Sequence, residues 1–243
     1  MTTFVLIHGA WHGAWCWEPL VEELRAVGHE AIAMDLPAGD PDAGLAASTD
    51  VVLAAVDDAK VLDPVMVVGH SLGGLVAPLV AERLGAAGLV YLCSFIPRPG
   101  VSFAEQGRTT PQLFSATYDE LAAEQIGFDD GSSTWPETAA IEAFYHDCPP
   151  EAAARAASRL RRQQWTSSSE RWPLAALPEL PTLVVTGAED RVIAPDHGRA
   201  DAEAHGYPVV ELAGGHSPML ARPAELATVL ADFASTVAAA GSP

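Results

Sequence analysis

Short apolar runs rich in β-branched residues recur along the chain, separated by segments of helical periodicity. Phe4 to His8, Ala31 to Leu36, Val65 to Gly69 and Gly88 to Phe95 read as strands. Helices are predicted near Trp17 to Val27, near Thr49 to Leu62, and from the turn after Gly69 to about Leu84. The pattern stops at Pro97-Arg98-Pro99-Gly100 and resumes at Pro181-Thr182. Beyond it, Thr182 to Gly187 and Tyr207 to Leu212 read as strands, with helices near Pro195 to His205 and Pro223 to Ala238, and residues 238–243 as a frayed end. Such alternation predicts an α/β fold: right-handed crossovers, a mostly parallel sheet, and helices on both faces.

The middle of the chain breaks this rhythm. About 80 residues separate the two halves, far more than the ~2 to 6 of an ordinary connection. They carry helical patches, notably Glu151 to Gln164, and apolar groups such as Leu113, Phe114, Trp135, Phe144 and Trp165. The expected organisation is one core from residues 1–96 and 181–243, with residues 97–180 as a helical cap over a site.

One strand-to-helix junction carries chemistry. Val65-Met66-Val67-Val68 runs into Gly69-His70-Ser71-Leu72-Gly73 and then Leu75-Val76-Ala77, a helix start. A serine hydroxyl is a weak nucleophile and must stand in a tight turn open to both substrate and a general base. Glycines two residues to either side tolerate the strained backbone this requires. With such a turn, the chain order Ser, then acid, then His is expected. Ala188-Glu189-Asp190 follows one later strand and Ala213-Gly214-Gly215-His216 the next, both at the edge where open parallel sheets place ligands. Ser71 is therefore the candidate nucleophile, His216 the base that takes its proton, and Asp190 the acid that holds the imidazole. No Asp or Glu lies between Leu89 and Arg98, one strand earlier. The oxyanion needs two backbone donors, each worth roughly 3 kcal/mol in the transition state. Leu72 supplies one, and Gly9 permits a turn that aims the N–H of Ala10 at the same place.

With these residues in view, four segments resemble a branch of the α/β-hydrolases containing plant methylesterases, hydroxynitrile lyases and bacterial carboxylesterases such as pyrethroid hydrolases. They are His8-Gly9-Ala10-Trp11-His12-Gly13-Ala14-Trp15-Cys16-Trp17, the serine turn, Tyr91-Leu92-Cys93-Ser94-Phe95-Ile96-Pro97, and His216-Ser217-Pro218-Met219-Leu220. The resemblance implies an α/β-hydrolase fold with the cap inserted before the strand that carries the acid. It favours Asp190 over its neighbour Glu189 and implies a substrate contact at Phe95; Trp11, beside the expected oxyanion donor, and Met219 are further expected substrate contacts. In the cyanohydrin-cleaving members a threonine follows the first histidine and a lysine follows the catalytic one; Gly9 and Ser217 stand there, so the chain resembles the esterases. The expected function is a metal-free serine hydrolase that cleaves a small to medium, largely apolar carboxylic ester through an acyl-enzyme, without cofactor. Lactone opening or carbon–carbon cleavage by the same residues is the alternative, and a hydrolase-derived ligand-binding protein with little turnover the alternative of another class.

Composition narrows the partners. At 243 residues the chain can bury a full core as one domain with an insertion. Hydrophobic residues make up 49%, yet no run of ~18 apolar residues could span a bilayer. The chain enters its first strand at once from Met1-Thr2-Thr3, so a cytoplasmic protein is expected. A net charge of −19 argues against nucleic acid, anionic membranes and highly anionic substrates. A small ester is the expected partner, and a homodimer stays open. Cys16, Cys93 and Cys148 show no spacing for a disulfide framework or zinc and read as packing thiols.

Several features read more simply as structure. His8 and His12 flank glycines at a strand end and are expected to hydrogen-bond the oxyanion loop, and Trp15 and Trp17 to pack the first helix. His146-Asp147 reads as a cap surface pair, and Arg155, Arg159, Arg161 and Arg162 as a solvated helix face. Pro78, about two turns into the helix after the serine turn, predicts a kink.

Overall fold

The computed structural model describes residues 1–61, 64–110 and 112–240. The first half runs β1 (Thr3–Ile7), a 3-10 turn (Ala14–Trp17), α1 (Glu18–Ala26), β2 (Glu30–Ala33), α2 (Leu45–Asp58), β3 (Val65–His70), a second 3-10 turn (Ser71–Leu75), α3 (Ala77–Leu84) and β4 (Gly88–Leu92). An insertion follows, with α4 (Phe103–Thr109), α5 (Ala116–Leu121), a 3-10 turn (Ala122–Glu124), the hairpin β5 (Ile126–Gly127) and β6 (Ser133–Thr134), α6 (Glu137–Phe144), α7 (Pro150–Ala157) and α8 (Thr166–Ser169). The chain closes with β7 (Thr182–Gly187), α9 (Pro195–His205), β8 (Val209–Leu212), α10 (Pro218–Ala221) and α11 (Pro223–Ala240).

Six strands form one parallel sheet in the order β2-β1-β3-β4-β7-β8. Side chains alternate across a strand, so each of the central strands β1, β3, β4 and β7 serves two cores. Phe4, Leu6, Met66, Val68, Val90 and Leu92 pack with Leu20 and Leu24 of α1 and Leu226 and Leu230 of α11. Val5, Ile7, Val65, Val67, Leu89 and Tyr91 pack on the other face with Val52 of α2, Val80 of α3 and Ala202 of α9. Burial on both faces is why the strands read as unbroken apolar runs. Trp17 is fully buried in the first of these cores, beside α1.

The local geometry departs from the sequence expectation in several places. Pro78 kinks nothing: the serine turn winds as 3-10 helix and α3 begins only at Ala77, so the proline stands in its first turn, where its missing N–H costs no intrahelical bond. The helix expected over Glu151 to Gln164 ends at Ala157. Its continuation has good helical residues, but the backbone N–H groups of Arg161, Gln163 and Gln164 are taken by the carbonyls of Trp11, Ser133 and Ala38, at 2.7, 2.9 and 2.6 Å. Distant acceptors here outweigh a preference worth only tenths of a kcal/mol per residue. Residues 238–240 are helical and belong to α11, while residues 241–243 and the expected helix end at Leu62 lie outside the described residues.

Candidate active site

The chain passes outward from β1 to β2 and returns to the other side of β1 as β3, so the sheet's switch point lies between β1 and β3. Ile7 pairs with Gly69 there, and the loops leaving both strands meet just beyond. A Cβ built on Gly73 would lie 2.6 Å from the Ile7 carbonyl oxygen and 2.7 Å from that of His8. One on Gly9 would stand 2.7 Å from Ser71 Cβ. Neither position admits a side chain without moving the turn, which ties the first loop directly to the serine.

Ser71 itself adopts φ +50, a left-handed conformation that costs a non-glycine residue about 1 to 2 kcal/mol. Two contacts hold the strained turn. The Ser94 hydroxyl donates to the Ser71 carbonyl at 2.7 Å. The preceding His70 is buried, and desolvation drives its pKa well below the usual value, so it is neutral. Its Nε2–H donates to the backbone carbonyl of His216 at 2.9 Å, tying the serine turn to the loop after β8.

At that loop the His216 ring is buried and its Nδ1 lies 2.9 Å from Asp190 Oδ2 and 3.0 Å from Oδ1. A carboxylate accepts, so Nδ1 carries a proton and Nε2 is the ring nitrogen left to exchange one. Asp190 Oδ1 also accepts the N–H groups of Val192 (2.8 Å) and Ile193 (3.1 Å), which fix the carboxylate plane. Glu189, one residue earlier, is exposed and is engaged through its backbone: its N–H donates to the Gly214 carbonyl at 2.8 Å and its carbonyl accepts from His146. The structure thus joins Asp190 to His216 and leaves Glu189 apart.

The loop after β1 is ordered by two more buried histidines. His8 Nε2 accepts the Leu36 N–H at 3.0 Å, so its proton is on Nδ1, which donates to the Gly9 carbonyl at 2.8 Å. His12 Nδ1 donates to the Ala10 carbonyl at 2.7 Å while its Nε2 accepts the Tyr145 hydroxyl at 2.7 Å. A trans peptide sets its N–H opposite its carbonyl. Holding the Gly9 carbonyl therefore orients the Ala10 N–H, the donor expected to face the oxyanion. Leu72, in the first turn of the serine's 3-10 helix, is among the positions whose N–H lacks an intrahelical acceptor.

These histidines have a measurable consequence. Burial lowers the pKa of His8 from 6.5 to about 4 and that of His12 to about 3. In the unfolded chain both bind protons near pH 6.5, so between that value and their native pKa the unfolded state holds more protons. The stability they confer is complete above pH 6.5 and is lost as pH falls toward 4 and then 3. Each contributes up to about 1.4 kcal/mol per pH unit in that window. We expect the melting temperature to drop steadily from pH 6.5 to 5, where most carboxylates stay ionised. A flat or rising profile in thermal unfolding would mean that these rings are protonated in the native state.

Of the expected substrate contacts, Trp11 lies at φ +62 with its ring 5.5 Å from Trp135, 5.8 Å from Phe144 and 5.2 Å from Trp165. Phe95 is buried and stacked on Phe103 of α4 at 3.8 Å. Met219 is buried in the core beneath α1 and α11.

Two sequence expectations are overturned here. His146 and Asp147 are not a surface pair: His146 Nε2 donates to the Glu189 carbonyl at 3.1 Å, and Asp147 accepts the Gly215 N–H at 2.9 Å, so they grip the loops of both Asp190 and His216. Arg161 is no member of a solvated helix face, since its side chain enters the loop after β1. Their partners are 43 to 153 residues away along the chain, and no local signal marks such contacts. Among the described residues, no group of three or more His, Cys, Asp or Glu gathers as a metal site, and no helix is long and apolar enough to cross a membrane.

Comparison with known proteins agrees with this architecture. A probable esterase of Oryza sativa subsp. indica is 30% identical over 259 residues, covering 96% of each chain. A carbendazim hydrolyzing esterase of Nocardioides sp. (strain SG-4G) is 35% identical over 135 residues, about half of each chain (52% and 53%). Among solved structures, a pyrethroid hydrolase from Sphingobium faniae JZ-2 superposes with a TM-score of 0.79 at 25% identity, covering 96% of this chain and 97% of that one. The model of the alpha/beta hydrolase family matches residues 4–229, from the first strand into the last helix, and the chain belongs to that family.

Proposed function

We propose that the chain is a serine esterase acting on a small to medium, largely apolar carboxylic ester. The observation that carries this reading is the buried Asp190–His216 pair, tied through His70 to a serine held in a strained turn. In the proposed reaction Ser71 Oγ attacks the ester carbonyl while His216 Nε2 takes its proton. Asp190 stabilises the imidazolium, and the N–H groups of Ala10 and Leu72 receive the oxyanion. His216 then protonates the departing alcohol, and water enters by the reverse path to release the acid. No step requires a metal or cofactor.

An apolar substrate suits the surroundings. Trp11, Trp135, Phe144 and Trp165 form one aromatic cluster beside the candidate oxyanion loop, and Phe144 lies 6.0 Å from the His216 ring. The insertion that supplies three of these rings is read as a cap over the site. The relatives named above as esterases and a pyrethroid hydrolase support the same reaction class.

Ester hydrolysis is expected to exceed cyanohydrin cleavage by at least 100-fold in kcat/KM, since an ester generates an oxyanion matched to two N–H donors. Departing cyanide needs a cation beside it, yet Ser217 follows His216, and Gly9 stands too close to Ser71 for a side chain. Purified protein assayed with aryl and alkyl esters beside mandelonitrile tests this. Faster enzyme-dependent cyanide release than ester hydrolysis would overturn it.

A further inference from the structure

Beyond α7 the insertion returns to the loop after β1, and a single residue there makes most of the contact. The Arg161 backbone N–H donates to the Trp11 carbonyl at 2.7 Å and its Nε to the His12 carbonyl at 2.9 Å. Its Nη2 donates to His8 Nε2 at 3.2 Å and to the Leu36 carbonyl at 3.3 Å, while Nη1 pairs with Asp35 at 3.5 Å. The planar guanidinium thus spans the loop from its first histidine to its second, a reach that a lysine ammonium cannot reproduce.

The contact with His8 has a defined consequence. A guanidinium can only donate, so it shares the Nε2 lone pair with the Leu36 N–H and, with it, opposes a proton there. The proton stays on Nδ1, where it bonds the Gly9 carbonyl and sets the direction of the Ala10 N–H. Two residues on, Gln163 Oε1 accepts the Trp11 N–H at 3.1 Å, so the same segment fixes the next peptide as well. The ion pair with Asp35 adds little, because the side chains are 32% and 60% exposed. What Arg161 supplies is geometry.

We infer that Arg161 is a positioning residue for the oxyanion donor on Ala10, acting from the insertion through His8 and the carbonyls of the loop. The inference rests on the proposed reaction, in which Ser71 is the nucleophile and Ala10 N–H receives the oxyanion. Removal of one oxyanion donor outright costs roughly 100- to 1,000-fold in kcat. A donor misaimed but present should cost part of that.

The test compares the wild type with Arg161→Ala, Arg161→Lys and Ser71→Ala, using one aryl ester and one boronic acid as a transition-state mimic. Arg161→Ala is expected to lower kcat by about 10- to 100-fold with KM within about threefold, and boronate affinity should fall alongside kcat/KM. Arg161→Lys should recover less than about a tenth of the activity, and added guanidinium should partly rescue Arg161→Ala. If Ser71→Ala is inactive while Arg161→Ala keeps wild-type kcat, the positioning role is wrong and the serine reaction stands. The role is equally wrong if lost activity follows only the folded fraction, with boronate affinity per folded molecule unchanged. Should Ser71→Ala retain ester hydrolysis, both readings fall together.

Discussion

Ser71→Ala is expected to lower kcat for ester hydrolysis by on the order of 10⁵- to 10⁶-fold and to abolish labelling by a fluorophosphonate. The loss is this large because the remaining groups act only through the serine. His216 has no serine proton to take, and the oxyanion donors assist only the slow direct attack of water. Alanine should be tolerated structurally. The turn is held from outside the side chain, by Ser94 on the Ser71 carbonyl and by His70 on the His216 carbonyl. The melting temperature should therefore change little, and circular dichroism should match the wild type. Undiminished labelling of the variant would identify another nucleophile.

Asp190→Asn should cost about 10³- to 10⁴-fold in kcat through the tautomer of His216. Both backbone N–H groups, from Val192 and Ile193, are received by Oδ1. An asparagine keeps those bonds by placing its carbonyl oxygen there, which turns its NH₂ toward His216 Nδ1 in place of Oδ2 and leaves Nδ1 only the more distant Oδ1 position, at 3.0 Å, already shared by two N–H groups. A donor now faces a donor, so the imidazole moves its proton to Nε2, the atom that must accept from Ser71. The site keeps its shape and loses its base. Steady-state kinetics with the labelling rate measured in parallel checks this, and both should fall together. A kcat within tenfold of the wild type would remove Asp190 from the reaction and direct attention to Glu189.

The insertion grips the core at more than one point. Residues 146–147 hold the loops of Asp190 and His216, and residues 161–163 hold the loop that carries Ala10. The core loops that converge on the site are thus tied to an element that is absent from the sheet itself. Changes in the insertion should reach kcat as well as substrate choice, since a misplacement of about an ångström at a reacting group can cost on the order of 100-fold.

What the sequence alone determined about this protein is what depends on neighbours along the chain. Strand runs and the serine turn with its glycines are local patterns, because backbone angles and side-chain alternation are set within a few residues; the order Ser71, Asp190, His216 is an expectation drawn from that turn. Both faces of the sheet were legible for the same reason. Register within a turn was less so: Pro78 reads as a kink until the 3-10 winding of Ser71–Leu75 moves the helix start to Ala77. Only the tertiary structure decided which distant groups meet. The truncation of α7, the proton positions on His8 and His12, and the placement of Arg161, His146 and Asp147 each follow from partners well over 20 residues away, reached by the particular path of the insertion. A hydrogen bond across such a gap leaves no periodicity in the chain; it exists because packing has brought a donor to an acceptor that burial would otherwise leave unpaired.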